Sequence, residues 1–223
     1  MLADLMDFIA LRYPDLLAAS GQHLAISFMA VILGILAAVP LGIYLSEKPN
    51  KPLHSVIFGI ANLFQTIPSL ALLAILIPLM GIGVKPAVFA LFLYSLLPIL
   101  RNTYAGFQSV SPSVTEAAKG VGCGTLQRLL LIQLPIAFPY IMSGIRLTTV
   151  YIISWTTLAA LIGAGGLGQL IISGIGVNRE ELVISASVLA ILLALMADWV
   201  LGAIERRFSR RTGSSRAPTL VSS

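Results

Sequence analysis

The chain has 223 residues, 57% of them hydrophobic and only 10% charged, against roughly 45–50% and 25% in soluble domains. A soluble enzyme or binding module is excluded, and a one-domain polytopic membrane protein with the lipid bilayer as partner is expected. The net charge of +5 sits mostly at the ends of apolar segments, so it reads as membrane orientation and no nucleic-acid partner is implied.

Cys123 is the only cysteine, which removes internal disulfides and multi-cysteine metal sites. With no His-rich cluster, carboxylate dyad or P-loop, no metal, catalytic residue or bound cofactor is expected on this chain. Residues 1–22, with Asp4, Asp7, Arg12 and Asp15, lack the basic start of a signal peptide. They read as an uncleaved extracellular or interfacial segment ahead of a transmembrane domain at 23–208.

A bilayer core of about 30 Å takes about 20 apolar residues per helix. Five stretches qualify, at 23–45, 55–80, 86–107, 138–162 and 182–204. Their long unbroken apolarity argues for helices, so the fold class is all-α. The segment 111–135 is polar, is interrupted by glycine and does not span. If the loop after the first span is cytoplasmic, then of the fourteen Lys and Arg only Arg12, Lys85 and Arg179 lie outside. That bias gives a multi-pass cell-membrane protein with its N-terminus outside and its C-terminus inside. The tail 209–223, rich in Ser, Arg, Gly and Pro, reads as disordered, basic and cytoplasmic.

Within the second span, Gln65, Thr66, Pro68 and Ser69 place polar groups and a helix breaker at mid-membrane. Pro68 frees a carbonyl that must be satisfied by neighbours or a cavity. The stretch is either a kink repaired by local Ser/Thr bonds or a break lining a pathway.

In the loop, Ser113 to Glu116 has capping-box form, with Ser113 as N-cap and Glu116 at N3. Val114, Ala117, Ala118 and Val121 then form one apolar stripe on a short helix. Gly120, Gly122 and Gly124 stop that helix. Thr125 can cap a second short helix carrying Leu126, Leu129, Leu130 and Gln133, which Pro135 is expected to end. Such a hairpin must rest on its own spans or on a partner.

On the fourth span, Tyr151 and Trp155 are four apart and share a face. They are either packing or an aromatic surface suited to a quaternary ammonium. Gly163-Ala164-Gly165-Gly166-Leu167-Gly168 spells a dinucleotide motif but follows a membrane span instead of a strand, so that reading fails. Gly163, Gly165, Gly166 and Gly168 instead let the chain turn or re-enter where protein buries it. Arg146 and Asp198 lie near the inner ends of their spans, where anchoring or a structural pair is the plainer role.

The order Glu116-Ala117-Ala118, Gly122, Ile132, Leu134 and Pro135 follows the spacing EAA-x3-G-x9-I-x-LP throughout. It resembles the cytoplasmic coupling loop of permease subunits in binding-protein-dependent type I ABC importers. The resemblance runs over about residues 20–208. It implies a five-helix core, like that of methionine permeases, with an N-terminal extension. It also implies two ABC ATPase subunits gripping 111–135, with ATP and Mg on those ATPases. A second permease copy or paralogue and an extracellular or lipoprotein substrate-binding protein would complete the importer.

Gln65 to Ala71 and Leu161 to Gln169 resemble the matching parts of osmoprotectant permeases, the latter also those of methionine permeases. That likeness implies an outer gate or binding-protein contact at Gly163, Gly165, Gly166 and Gly168, with simple tight packing as the alternative. The implied solute is glycine betaine, carnitine or choline, with a methionine-like solute as the alternative. An ion-coupled secondary transporter would show an internal repeat and deep charges, which are not seen. A membrane scaffold would have no use for an ATPase-docking loop.

Overall fold

A computed structural model describes residues 2–48 and 50–211, and among these every regular element is helical. The order is α1 (Leu2–Glu47), α2 (Lys51–Thr66), α3 (Ser69–Met80), α4 (Val84–Gln108), α5 (Pro112–Gly120), α6 (Thr125–Arg128), α7 (Leu134–Ala159), α8 (Gly166–Gly176) and α9 (Glu180–Arg211). Helices α1, α4, α7 and α9 pack side by side in that order, and α8 fills the space beside α1 and α9.

Third and fifth spans fall where hydropathy places them. The first does not begin at 23, because α1 is a single helix of 46 residues that passes through Pro14 and Pro40. At 1.5 Å per residue that is about 69 Å, more than twice a bilayer core. Residues 2–22 of the N-terminal segment therefore run into the span without a break. At the other end, α9 continues through Arg211, so 209–211 are helical where disorder was expected. The rest of the predicted tail, 212–223, lies outside the described residues.

The second predicted span is not one rod. Helices α2 and α3 meet at 99°, far beyond a repaired kink. Ile67 precedes a proline, which disfavours helical backbone there, and it is extended at φ −71°, ψ 128°. Thr66 does bond back to the Leu63 carbonyl at 2.8 Å, but the helix still ends. A new one starts as the Leu72 N–H reaches the Pro68 carbonyl at 3.0 Å.

The core lies where α1, α3, α4 and α7 converge, around Ile26, Leu72, Leu91, Ile152 and Ala159. In lipid there is little hydrophobic drive between helices, so close backbone approach and polar contacts hold them. A Cβ on Gly42 would lie 2.9 Å from Thr103 Cβ, and one on Gly144 would lie 2.5 Å from Asn102 Cβ. These glycines set the α1–α4 and α4–α7 spacing. Between α1 and α7 runs a buried polar ladder. His23 Nε2 lies 2.9 Å from the Ile153 carbonyl, and the Ser27 and Thr156 hydroxyls are 2.8 Å apart.

Candidate functional site

The loop 111–135 divides into two parts of different character. Helix α5 starts at Pro112, with Ser111 in the N-cap position and no side-chain cap. Proline favours the first helical position, so the start lies two residues earlier than the capping-box spelling predicts, and Glu116 is not at N3. The Ser113 hydroxyl instead lies 2.8 Å from that of Ser111. At the other end, the Cys123 N–H reaches the Ala118 carbonyl at 3.0 Å and the Gly122 N–H reaches that of Lys119 at 2.9 Å. With Gly122 at φ +85° this is a Schellman stop.

Of the apolar stripe, only Ala118 is buried; Val114 is 37% and Val121 80% exposed. Glu116 and Ala117 are exposed as well. The spans of this chain do not cover the elbow.

The second arm departs from the expected short helix. Gly124, not Thr125, is the N-cap, because the Gln127 side-chain carbonyl accepts the Gly124 N–H at 3.0 Å, and Thr125 is the first helical residue. Pro135 does not end the helix, which continues from Thr125 to Ile162 over 38 residues. A single π turn over Leu129–Gln133, with the Leu134 N–H bonding back to the Leu129 carbonyl, widens the turn just ahead of Pro135. That spares the ring its clash with the preceding turn. Ile132, Leu134 and Pro135 are half-buried at the root of the fourth span. Leu129 and Leu134 pack against Phe107, Ala137 and Ile141. Arg128, buried, reaches Glu47 at the end of α1 at 3.4 Å.

Between α2, α4 and α7 lies an open cleft of about 440 Å³, lined by Gln65, Tyr94, Leu97, Pro98, Arg101, Asn102, Thr148, Tyr151, Ile152 and Trp155. It brings together three sequence-predicted residues, Gln65, Tyr151 and Trp155. Thr66, Pro68 and Ser69 shape the break but do not line the cleft. Trp155 meets Tyr94 edge to face at 4.8 Å and stacks with Tyr151 at 6.2 Å. Tyr94 and Asn102 carried no signal in the sequence beyond their spacing. Arg101 was legible only as a topology charge.

At the opposite end of the bundle from the elbow, Gly163, Gly165 and Gly166 have φ of 76°, 82° and 71°, a path for which glycine is suited. Gln22 clamps this turn, donating to the Ala164 carbonyl at 3.1 Å and accepting from the Gly166 N–H at 3.0 Å. The Gly83 N–H adds a bond to the Ile162 carbonyl at 2.7 Å. A Cβ on Gly168 would collide with the Thr157 carbonyl. The glycine run thus packs tightly and starts α8, and Gln22, far away in sequence, is the partner that local reading missed. Arg146 and Asp198 pair through two hydrogen bonds of 2.6 and 2.7 Å, with Glu205 at 3.5 Å.

The family model described as "Binding-protein-dependent transport system inner membrane component" matches residues 30–210. The chain belongs to that family. It is therefore a multi-pass permease component of the inner membrane, in a transport system whose ATPase activity resides in a separate subunit. Among similar proteins is the glycine betaine/carnitine/choline transport system permease protein OpuCB of Bacillus subtilis, 45% identical over 91% of this chain and 93% of that protein. The carnitine transport permease protein OpuCB of Listeria monocytogenes is 44% identical over 87% of this chain and 88% of its own. The osmoprotectant import permease protein OsmW of Salmonella typhimurium is 44% identical over 81% and 85%. In fold, the permease is similar to the inward-facing MetNI methionine ABC transporter, with a TM-score of 0.80 at 22% identity over 86% of this chain and 95% of that one.

Proposed function

We propose that this permease forms the translocation pathway for a quaternary-amine osmoprotectant such as glycine betaine, carnitine or choline. Identity of 45% across nine-tenths of the chain to a permease for those solutes carries this reading, and the aromatic rings of Tyr151 and Trp155 on the cleft support it. The methionine-like alternative rests on a structure only 22% identical, which speaks for fold alone.

Coupling is assigned to the elbow. Two ATPases, with ATP and Mg on them, dock at 111–135 through Glu116, Ala117, Ala118 and Gly122. Ile132, Leu134 and Pro135 pass the motion into the fourth span. A second copy or paralogue of the permease completes the pathway, and an extracellular or lipoprotein binding protein delivers solute at the Gly163–Gly168 end. This sets the N-terminus outside and the C-terminus inside, in keeping with the charge bias. Glu47, Arg128 and the elbow lie at one end of the bundle, and Gln22, Gly83 and Gly163 at the other.

Reconstitution with the ATPase and receptor subunits, followed by ATPase assays with betaine, carnitine, choline and methionine, tests the reading. Stimulation by at least one of the quaternary amines is expected. Stimulation by methionine alone would overturn the solute assignment, and uptake that survives disabled ATP hydrolysis would overturn the importer mechanism.

A further inference from the structure

The cleft has two chemically different ends, and their arrangement follows from helix geometry. Along α4, Tyr94, Leu97, Pro98, Arg101 and Asn102 fall on one face. Arg101 stands seven residues below Tyr94, a rise of about 10 Å. Along α7, which runs the other way, Trp155 is level with Tyr94 at 4.8 Å. Gly144 is level with Asn102, since a Cβ there would lie 2.5 Å from it. The aromatic level and the basic level are therefore separated along the cleft.

Helical side chains lean toward their own N-terminus. Arg101 thus leans up toward the aromatic level, while Tyr151 leans down toward Arg101. Both border the same open space. The guanidinium has no ion pair or hydrogen bond among the described residues. It contrasts with Arg146 on the neighbouring helix, which is bound to Asp198 and Glu205. Asn102 already spends its amide N–H on the Pro98 carbonyl at 2.8 Å.

An always-protonated fork with no carboxylate of its own suits a carboxylate guest, which it binds through two parallel N–H donors. An aromatic wall at a distance suits a quaternary ammonium. Resting on the osmoprotectant reading above, we infer that Arg101 makes the pathway selective for zwitterions. The trimethylammonium group lies against Tyr151 and Trp155, which Tyr94 backs from behind, and the carboxylate of a betaine or carnitine pairs with Arg101. Choline has the cation but no carboxylate, so the same guanidinium repels it.

The test is uptake by the reconstituted complex with one fixed receptor preparation, comparing glycine betaine, carnitine and choline. Arg101→Gln should lower betaine and carnitine uptake at least tenfold and leave choline uptake equal or higher, with the betaine-to-choline ratio falling accordingly. Arg101→Lys, which keeps a charge without the fork, should recover part of that ratio. Equal loss of all three solutes in Arg101→Gln, with normal insertion and basal ATPase, would make Arg101 a structural or topological residue and overturn the assignment. An unchanged ratio would overturn it too. A wild-type complex that moves none of the three solutes sinks the osmoprotectant reading itself, and this is seen before any variant is made.

Discussion

Gln65 and Tyr94 each complete the other's backbone where a proline leaves a carbonyl free, at Pro98 inside the continuous α4 and at the break before Pro68. Pro98 has no N–H to give the carbonyl one turn earlier, that of Tyr94, and the Gln65 amide donates to it at 2.5 Å. The break at Pro68 leaves the Ile67 carbonyl without a helical partner, and the Tyr94 hydroxyl donates to it at 2.7 Å. Each side chain completes the backbone of the other's helix, which is how a sharp break is tolerated at membrane depth. Tyr94→Phe keeps the ring and removes only the donor. It should destabilise the solubilised protein by about 1–3 kcal/mol, the cost of an unsatisfied buried group. A melting temperature equal to wild type would show that the Ile67 carbonyl does not depend on Tyr94.

Gly122 gives a prediction in which backbone and space are separable. A Cβ there meets nothing within 4 Å, yet the φ is +85°. Strain, not crowding, is the penalty, about 1–2 kcal/mol for an ordinary L residue and less for Asn. Gly122→Val should therefore uncouple uptake from ATP hydrolysis with insertion intact, while Gly122→Asn retains most uptake. Glu116→Lys, at an exposed site on the same elbow, should also uncouple. Uptake and ATPase assays in proteoliposomes decide this, and equal activity of Val and Asn variants would remove the backbone argument.

How much of this was legible in the sequence depended on the range of the contact involved. The third and fifth spans were plain because each is a long apolar run whose helix obeys only its own residues. The stop of the elbow's first helix was plain because its stripe and glycines lie within ten residues of each other, whereas its start was set by Pro112 and not by the capping-box spelling. Pro135 misled, since proline's rule is local and the π turn at Leu129–Gln133 evades it. The length of α1 was hidden by Asp4, Asp7 and Asp15, which look like the end of a span. Gln22 could not be foreseen at all, because its partners are 142 and 144 residues away.

The pair Arg146–Asp198 is predicted to matter more when half of it is missing than when it is gone. Gly202 leaves the guanidinium its place, since a Cβ there would lie 3.0 Å from Arg146 Cζ. Asp198→Ala strands a cation between α7 and α9, with Glu205 at 3.5 Å as the remaining acid. The double variant Arg146→Ala/Asp198→Ala removes the stranded charge and should melt above the single Asp198→Ala variant. Additive losses in the double variant would contradict the pairing.

Arg128 and Glu47 join the base of the elbow to the end of the first span. Arg128 has a side chain only 11% exposed, and Glu47 one 28% exposed, so the contact is shielded from screening more than a surface pair. Motion imposed on the elbow by a docked ATPase would reach α1 through this link and the fourth span through Leu129 and Leu134. Arg128→Glu or Glu47→Arg alone places like charges together, and each should cut solute-stimulated ATPase activity severalfold. The double swap Glu47→Arg/Arg128→Glu restores the attraction and should recover a measurable part of that stimulation. Ratios of stimulated to basal ATPase in the same lipid preparation report coupling separately from folding. If the double swap couples no better than the worse single variant, the link acts through Arg128 packing alone, and charge plays no part in transmission.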